Sequence, residues 1–329
     1  MDKDIAIPET LQEAIIFFAN PKNCHDFMML LRWPDGKVKC PRCGSEEAAY
    51  LPNARVFKCY QKHPCQKFSL KVGTIFEDSP IPLEKWLPVM WLVVNCKNGV
   101  SSYEIHRDMH VTQKTAWFML QRARLAMQAL NTGGKLGGDG KEVEIDETFI
   151  GGKARNMHPE KRRTKIRGRR GGLSGKVAVM GLLERHGEVR LKIVPNVRRH
   201  NLLPHVQEHI APDTEIFTDA LKSYEAIGLD EARYVHRVID HAKEYVRGNV
   251  HTNGMENFWS LLKRGIRGTY VSVEPFHLFR YLDEQAFRFN NRKDIGDSGR
   301  FVLAMQQIVG RRLTYKELTG KTEQAESVS

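Results

Sequence analysis

The sequence predicts an α/β protein, with a mixed-sheet domain at residues 142–295 that follows a small cysteine-bearing segment and a helical region. Three observations carry this reading. Strand-like runs occur at KEVEIDETFI, GKVAVMGLLE, EVRLKIVPN, TEIFTDA and ARYVHRVID. Helical patterns lie at NLLPHVQEHI, ALKSYEAI and GMENFWSLLKR, so three neighbouring strands give way to alternation with helices, as in a mixed sheet. Four cysteines fall between positions 40 and 65, and the glycine-rich NTGGKLGGDGK separates the two halves.

The elements can be justified in order. Residues 1–36 form a helical lead-in: PETLQEAIIFFAN is amphipathic with Thr10 or Glu9 near its N-cap, and a second short helix ends at Trp33-Pro34. Residues 37–80 hold Cys40 and Cys43 in CPRCG, then Cys59 and Cys65 in CYQKHPC. Two such pairs, each on a tight turn, can close a tetrahedral structural site for one Zn²⁺ in a small ribbon. The wider second interval leaves His63 as an alternative fourth ligand to Cys65, and disulfide pairing is the competing reading. Cys24 and Cys96 read as core residues. In residues 81–131, SSYEIHRDM and TQKTAWFMLQRAR are joined by a brief turn at His110-Val111, with Ser101 or Ser102 and Thr112 as N-caps. That pattern fits a helix-turn-helix presenting Gln113, Lys114 and Arg122 to DNA, and equally a plain helical hairpin. Residues 132–141 read as a linker, and 296–329 as a terminal helix and polar tail.

The chain has 329 residues and a net charge of +12, which points to a polyanionic partner. Its distribution is more informative than its sum. The tract 153–176 carries ten basic residues against Glu160 alone, a net +9. Arg162, Arg163, Lys165, Arg167, Arg169 and Arg170 lie in it and are expected to neutralise phosphates; in the free protein a solvated loop fits as well. No apolar run approaches the roughly 18 residues of a membrane span. The N-terminus lacks the basic flank and apolar run of a signal peptide, which predicts a cytosolic protein with no membrane partner.

The stretch VEIDETFIGGK interleaves Glu144, Asp146 and Glu147 with Val143, Ile145, Phe149 and Ile150. Burying a bare carboxylate costs several kcal/mol unless a cation or strong donors meet it, so a purely structural strand would avoid this arrangement. Asp219 follows at the end of EIFTD, where N-capping is the competing duty. Glu256 stands three residues after Asn253, the spacing of a variant capping box. On that helix Met255, Phe258, Leu261 and Leu262 share an apolar face. Glu256, Ser260 and Lys263 fall within about 60° of one another on the other side, as a metal ligand and a phosphate contact or as a surface salt bridge. Three carboxylates brought together could bind two Mg²⁺ or Mn²⁺ ions for an in-line phosphoryl displacement.

With these blocks in hand, the chain resembles bacterial insertion-sequence transposases of the ISXO type. The resemblance rests on CPRCGS, KFSLKVGTIFEDSPIPLEKW, VEIDETFIGGK, FTDALKSY, HTNGMENFWSLLKRGIRGTY and HLFRYLDEQAFRFNNR, and covers about residues 20–295. It implies an RNase H-like catalytic domain whose acidic triad falls on Asp146, Asp219 and Glu256, with Asn253 and Lys263 assisting and His241 and His251 near the triad. It implies a DNA transposase that binds the ends of an insertion sequence, cleaves to expose 3′-hydroxyls and joins them to target DNA by two-metal phosphoryl transfer, without a covalent protein–DNA intermediate. The implied partner is double-stranded DNA, as terminal repeats and target. Acting on two ends implies a homodimer or higher assembly, cytoplasmic and nucleoid-associated when bound. Two other readings fit the same domains: a DNA-binding regulator derived from a transposase, and a metal-dependent nuclease or resolvase that cuts without joining.

Overall fold

Thr10 opens the first helix, α1 (Leu11–Phe18), with a capping box in which its side chain accepts from the Glu13 N–H and Glu13 reaches back to the cap. In the computed structural model this helix belongs to the first of two units, Met1–Gln128 with Asn291–Ser329; the second is Ala129–Asn290. The structure describes residues 6–128, 134–152, 158–160, 175–219, 221–225, 227, 233–239, 252–293 and 295–320.

In the first unit, α2 (Pro21–Arg32) starts on Asn20 as N-cap with proline at its first position. A small antiparallel sheet follows in the order β1 (Ala48–Leu51), β2 (Val56–Cys59), β3 (Lys67–Phe68). Next comes α3 (Leu83–Asn95), which buries Trp86, Leu87, Val89, Met90, Trp91, Val93 and Val94 and is therefore a core helix. A Ser101–Glu104 capping box starts α4 (Ser102–Met109), His110 ends it in the left-handed region, and Thr112 caps α5 (Gln113–Met127). Residues 291–320 return to this unit: the Phe301 ring lies 5.6 Å from Phe18 and 5.1 Å from Trp91. The expected terminal helix is thus part of the first core, a long-range return that local patterning does not reveal.

The second unit is a five-stranded mixed sheet in the order β6-β5-β4-β7-β8. Its strands are β4 (Glu142–Ile150), β5 (Val177–Glu184), β6 (Val189–Val194), β7 (Thr214–Asp219) and β8 (Tyr234–Ile239). The β4, β5 and β6 pairings are antiparallel, while β7 runs parallel to both β4 and β8. This is the RNase H-like arrangement expected, with β4 at its centre. Helix α6 (Arg199–His209) packs against Val143, Ile145, Met180, Leu182 and Ile216 on one face. On the other face α7 (Asn253–Gly265) and α8 (Leu278–Asn290) pack against Ile150, Val179 and Leu183. Period-two alternation along β4 and β5 serves both cores at once. Between α7 and α8, Tyr270 bonds to the buried Glu284, which also pairs with Arg288 one turn along α8.

Two local expectations change. The described residues of the stretch read as a helix at ALKSYEAI form a 3₁₀ turn, Lys222–Tyr224. The tract read as a linker is tied into the second unit: Leu136 is buried in the α6 core and bridges Ile210, donating to the His209 carbonyl at 2.8 Å. The Gly137 and Gly138 N–H groups add bonds to Glu184 Oε2 and Thr214 Oγ1, each at 2.8 Å.

Candidate functional site

Strand pairing decides whether the first two carboxylates meet. The last paired residues of β4 and β7 are Ile145 and Thr218, so Asp146 and Asp219 stand one step beyond, on neighbouring parallel strands. Since Ile145 belongs to the α6 core, alternation turns both aspartates toward α7. Asp146 is held by two donors, the Trp259 indole N–H to Oδ2 at 3.0 Å and the Glu147 N–H to Oδ1 at 2.8 Å. Burial, and then the charges of Asp219 and Glu256, push its carboxyl up to about 6 against the pull of those donors. Asp219 and Glu256 thus both act on Asp146. Asp219 accepts the Leu221 N–H at 3.1 Å in a tight turn, and the 3₁₀ turn that follows is capped by Leu221, so Asp219 is not its N-cap.

Helix α7 is anchored by a residue the crowded strand had hidden. Glu144, only 1% exposed, accepts the Met255 N–H at 2.9 Å and the Arg185 Nε–H at 2.9 Å. A carboxylate at the positive end of a helix is favourable, and here it fastens α7 to β4. The contact requires a glycine, since a Cβ at Gly254 would lie 2.8 Å from Glu144 Oε2 and 2.6 Å from Leu183 Cδ2. Gly181, opposite Asp146 on β5, plays the same part for Trp259: a Cβ there would come within 2.7 Å of the indole and 2.2 Å of Met255 Cε.

The capping box is not formed. Thr252 is the N-cap and Asn253 the first helical residue, with the Glu256 N–H bonded to the Thr252 carbonyl at 3.0 Å. Met255, Phe258, Trp259 and Leu262 are buried, Asn253, Glu256 and Ser260 exposed and Lys263 half-buried. Burial and Arg267 hold the Lys263 ammonium below the usual lysine range, against the attraction of Asp146.

Glu147, in the crowded stretch but assigned no role from sequence, belongs by alternation to the α6 face. Burial, then Asp146 and Asp219, push it up to about 8, and its Oε1 has no hydrogen-bond partner among the described residues. A cluster in which the charge of Asp219 acts on both Asp146 and Glu147, offering only hard oxygen donors, fits Mg²⁺ or Mn²⁺. Among the described residues, the triad oxygens do not all lie within 4.8 Å of one another.

In the first unit Cys40, Cys43, Cys59 and His63 bring their ligand atoms within 4.8 Å of one another. Cys40 Sγ is 3.6 Å from His63 Nε2, and Cys43 Sγ is 3.6 Å from Cys59 Sγ. Gly44, at φ +75°, turns the chain so that its N–H reaches the Cys40 carbonyl. Burial raises the Cys40 thiol, but the Arg42 and Cys43 N–H groups outweigh it and bring it down to about 7. Burial and the neighbouring thiols push Cys59 up to about 11, a conflict that a shared cation removes. His63 Nδ1 lies 2.8 Å from the Pro64 carbonyl, which leaves Nε2 as the ligand atom. Cys65, expected as the fourth ligand, is exposed at φ +58° and stands outside the group. The chain turns away after Pro64, so His63 takes the place expected for it. This Cys₃His set suits a structural Zn²⁺.

Gln113 donates to Ser102 Oγ at 2.9 Å, bracing α5 against α4, while the exposed Lys114 places its ammonium 4.6 Å from the centre of the Tyr315 ring. Arg122, expected to face DNA, is buried and donates to the Leu313 and Glu77 carbonyls. Arg162, Arg163, Lys165, Arg167, Arg169, Arg170, His241 and His251 lie outside the described residues. No described helix is long and apolar enough to cross a membrane.

Comparison with known proteins adds an independent finding. Residues 135–290 match a family model described as an ISXO2-like transposase domain, and residues 20–67 match a transposase zinc-ribbon domain. A Halobacterium salinarum protein, described as an uncharacterized protein in transposable element ISH50, is 28% identical over 256 residues, 75% of this chain and 83% of the relative. An uncharacterized transposase-like protein of Haemophilus influenzae is 34% identical over 99 residues, 30% of this chain and 78% of that one.

Proposed function

We infer that this chain, which belongs to the family of ISXO2-like transposases, cuts DNA at the ends of an insertion sequence and joins the freed 3′-hydroxyls to target DNA. The observation that carries the reading is that Asp146 and Asp219 stand side by side on neighbouring parallel strands, just past their last paired residues, with the charges of both Asp219 and Glu256 acting on Asp146. Asp146, Asp219 and Glu256 would hold two Mg²⁺ or Mn²⁺ ions. When bound, such ions supply Lewis-acid stabilisation to the attacking and leaving oxygens of an in-line displacement.

The chain's own residues set the geometry. Trp259 fixes the Asp146 carboxylate, and Glu144 holds the start of α7 on the sheet, keeping Glu256 opposite the two aspartates. Lys263, two turns beyond Glu256 on α7, offers a cation to the scissile phosphate, and Asn253 offers an exposed amide at the helix start. Cleavage transfers a phosphodiester to water and leaves a 3′-hydroxyl; joining transfers a target phosphodiester to that hydroxyl. Both are oxygen-for-oxygen exchanges at phosphorus, so no side chain need act as nucleophile.

DNA would be held by the ribbon, by the start of α5 with Gln113 and Lys114, and by the basic tract with Arg162, Arg163, Lys165, Arg167, Arg169 and Arg170. Handling two element ends calls for at least a dimer on DNA. A joining assay with labelled element ends, run with and without Mg²⁺, tests the reading. Asp146→Asn is expected to lose joining and keep end binding, and joining by that variant in Mg²⁺ would overturn the assignment.

A further inference from the structure

Helix α6 lies on the face of the sheet away from α7 and ends in the sequence His205-Val-Gln-Glu208-His209. Positions i, i+3 and i+4 share one side of a helix, and two histidines four apart are a recurrent way for one helix to grip a single metal ion. The three ligand atoms lie within 4.8 Å of one another. Both imidazoles approach the same oxygen, with Glu208 Oε2 3.6 Å from His205 Nδ1 and 3.5 Å from His209 Nε2. In a tetrahedral zinc site with bonds near 2.0 Å, ligand atoms stand about 3.3 Å apart. The observed spacings need only a small adjustment to reach that.

The polar chemistry of the cluster is otherwise unexplained. His205 Nδ1 and His209 Nε2 are buried, and neither makes a hydrogen bond among the described residues. His209 as a whole is 7% exposed. Buried ring nitrogens are normally satisfied, so two orphaned nitrogens turned to one carboxylate call for a ligand between them. The nearby Arg190 is paired with Glu188.

We propose that His205, Glu208 and His209 form a second transition-metal site, taking a borderline divalent cation such as Zn²⁺ and separate from both the carboxylate centre and the ribbon cluster. Two imidazoles and one carboxylate select such an ion over Mg²⁺. The His209 carbonyl carries the Leu136 bridge, so the ion would brace the turn to which residues 134–138 are attached.

Cobalt titration of the metal-stripped full chain, with Mg²⁺ in large excess to occupy the carboxylate centre, tests this. The wild type is expected to take two equivalents of Co²⁺, one with thiolate charge-transfer absorption and one with ligand-field bands alone. Glu208→Gln and His205→Asn should each weaken the second equivalent at least tenfold and leave the thiolate bands intact, while Asp146→Asn should keep both. Glu208 has a 60% exposed side chain, so its replacement leaves the fold in place. Uptake of a single equivalent by the wild type, survival of the second in both α6 variants, or its loss in Asp146→Asn alone would each overturn the proposal.

Discussion

The Trp259 indole N–H donates to Asp146 Oδ2 at 3.0 Å, so a residue of the apolar stripe of α7 also orients the first carboxylate of the site. Trp259→Phe keeps most of the ring and removes the donor. We expect a cost of about 1 kcal/mol in stability and roughly a tenfold loss of joining, with end binding unchanged. Chemical denaturation and the joining assay would show this, and full activity would mean that Asp146 needs no such support.

Gly181→Ala should be destabilising by about 1–3 kcal/mol, because the new methyl meets the buried, rigid Trp259 indole at 2.7 Å. Thermal melting would report the loss. Gly268→Ala, whose Cβ would meet nothing within 4 Å, serves as the matched control.

Glu144 separates anchoring from chemistry. Glu144→Ala strips a buried partner from Arg185 and from the Met255 N–H, and should cost about 3 kcal/mol. Glu144→Gln keeps an acceptor for the helix start and should recover part of that. If denaturation midpoints place both variants at wild-type stability, the anchor does not hold α7.

The acids also set a pH dependence. Asp146 is pushed up to about 6 and Glu147 up to about 8, whereas in the unfolded chain both titrate near 4. Between about pH 4 and 8 the folded state therefore binds more protons than the unfolded, and without divalent ions stability must fall as pH rises through that window. Melts in Mg²⁺-free buffer should drop from about pH 5 to 8, by on the order of 2 kcal/mol for Asp146 alone. Asp146→Asn should flatten that drop, and added Mg²⁺ should stabilise the wild type far more at the higher pH.

At the ribbon, His63→Ala should release zinc and Cys65→Ser should retain it, as read by metal content after dialysis. The reverse result would return the fourth ligand to Cys65.

All five strands of the mixed sheet were legible as short runs rich in apolar and β-branched residues, and the proposed triad positions as an acid in a crowded strand, an acid at a strand end and an acid on a helix's polar side. What sequence hid was set by partners far along the chain. Glu144 looked like one more member of a crowded strand, and only the start of α7, 111 residues later, reveals it as an anchor. Gly181 and Gly254 carried no signal, because the space they leave belongs to other elements. Arg122 looked like a DNA contact because its burial depends on carbonyls at Glu77 and Leu313. The choice between His63 and Cys65 turned on a backbone reversal after Pro64 that spacing cannot express.

Asp146, Asp219 and Glu256 come from three segments spread over some 110 positions, the last on a helix that must dock before its carboxylate faces the others. A chain still emerging from the ribosome, or one cut short before α7, presents at most the two aspartates, without Glu256. On the proposed reading, competence for DNA breakage would arrive late in synthesis, after both the ribbon and the sheet have had time to form, and an unfinished copy would lack it.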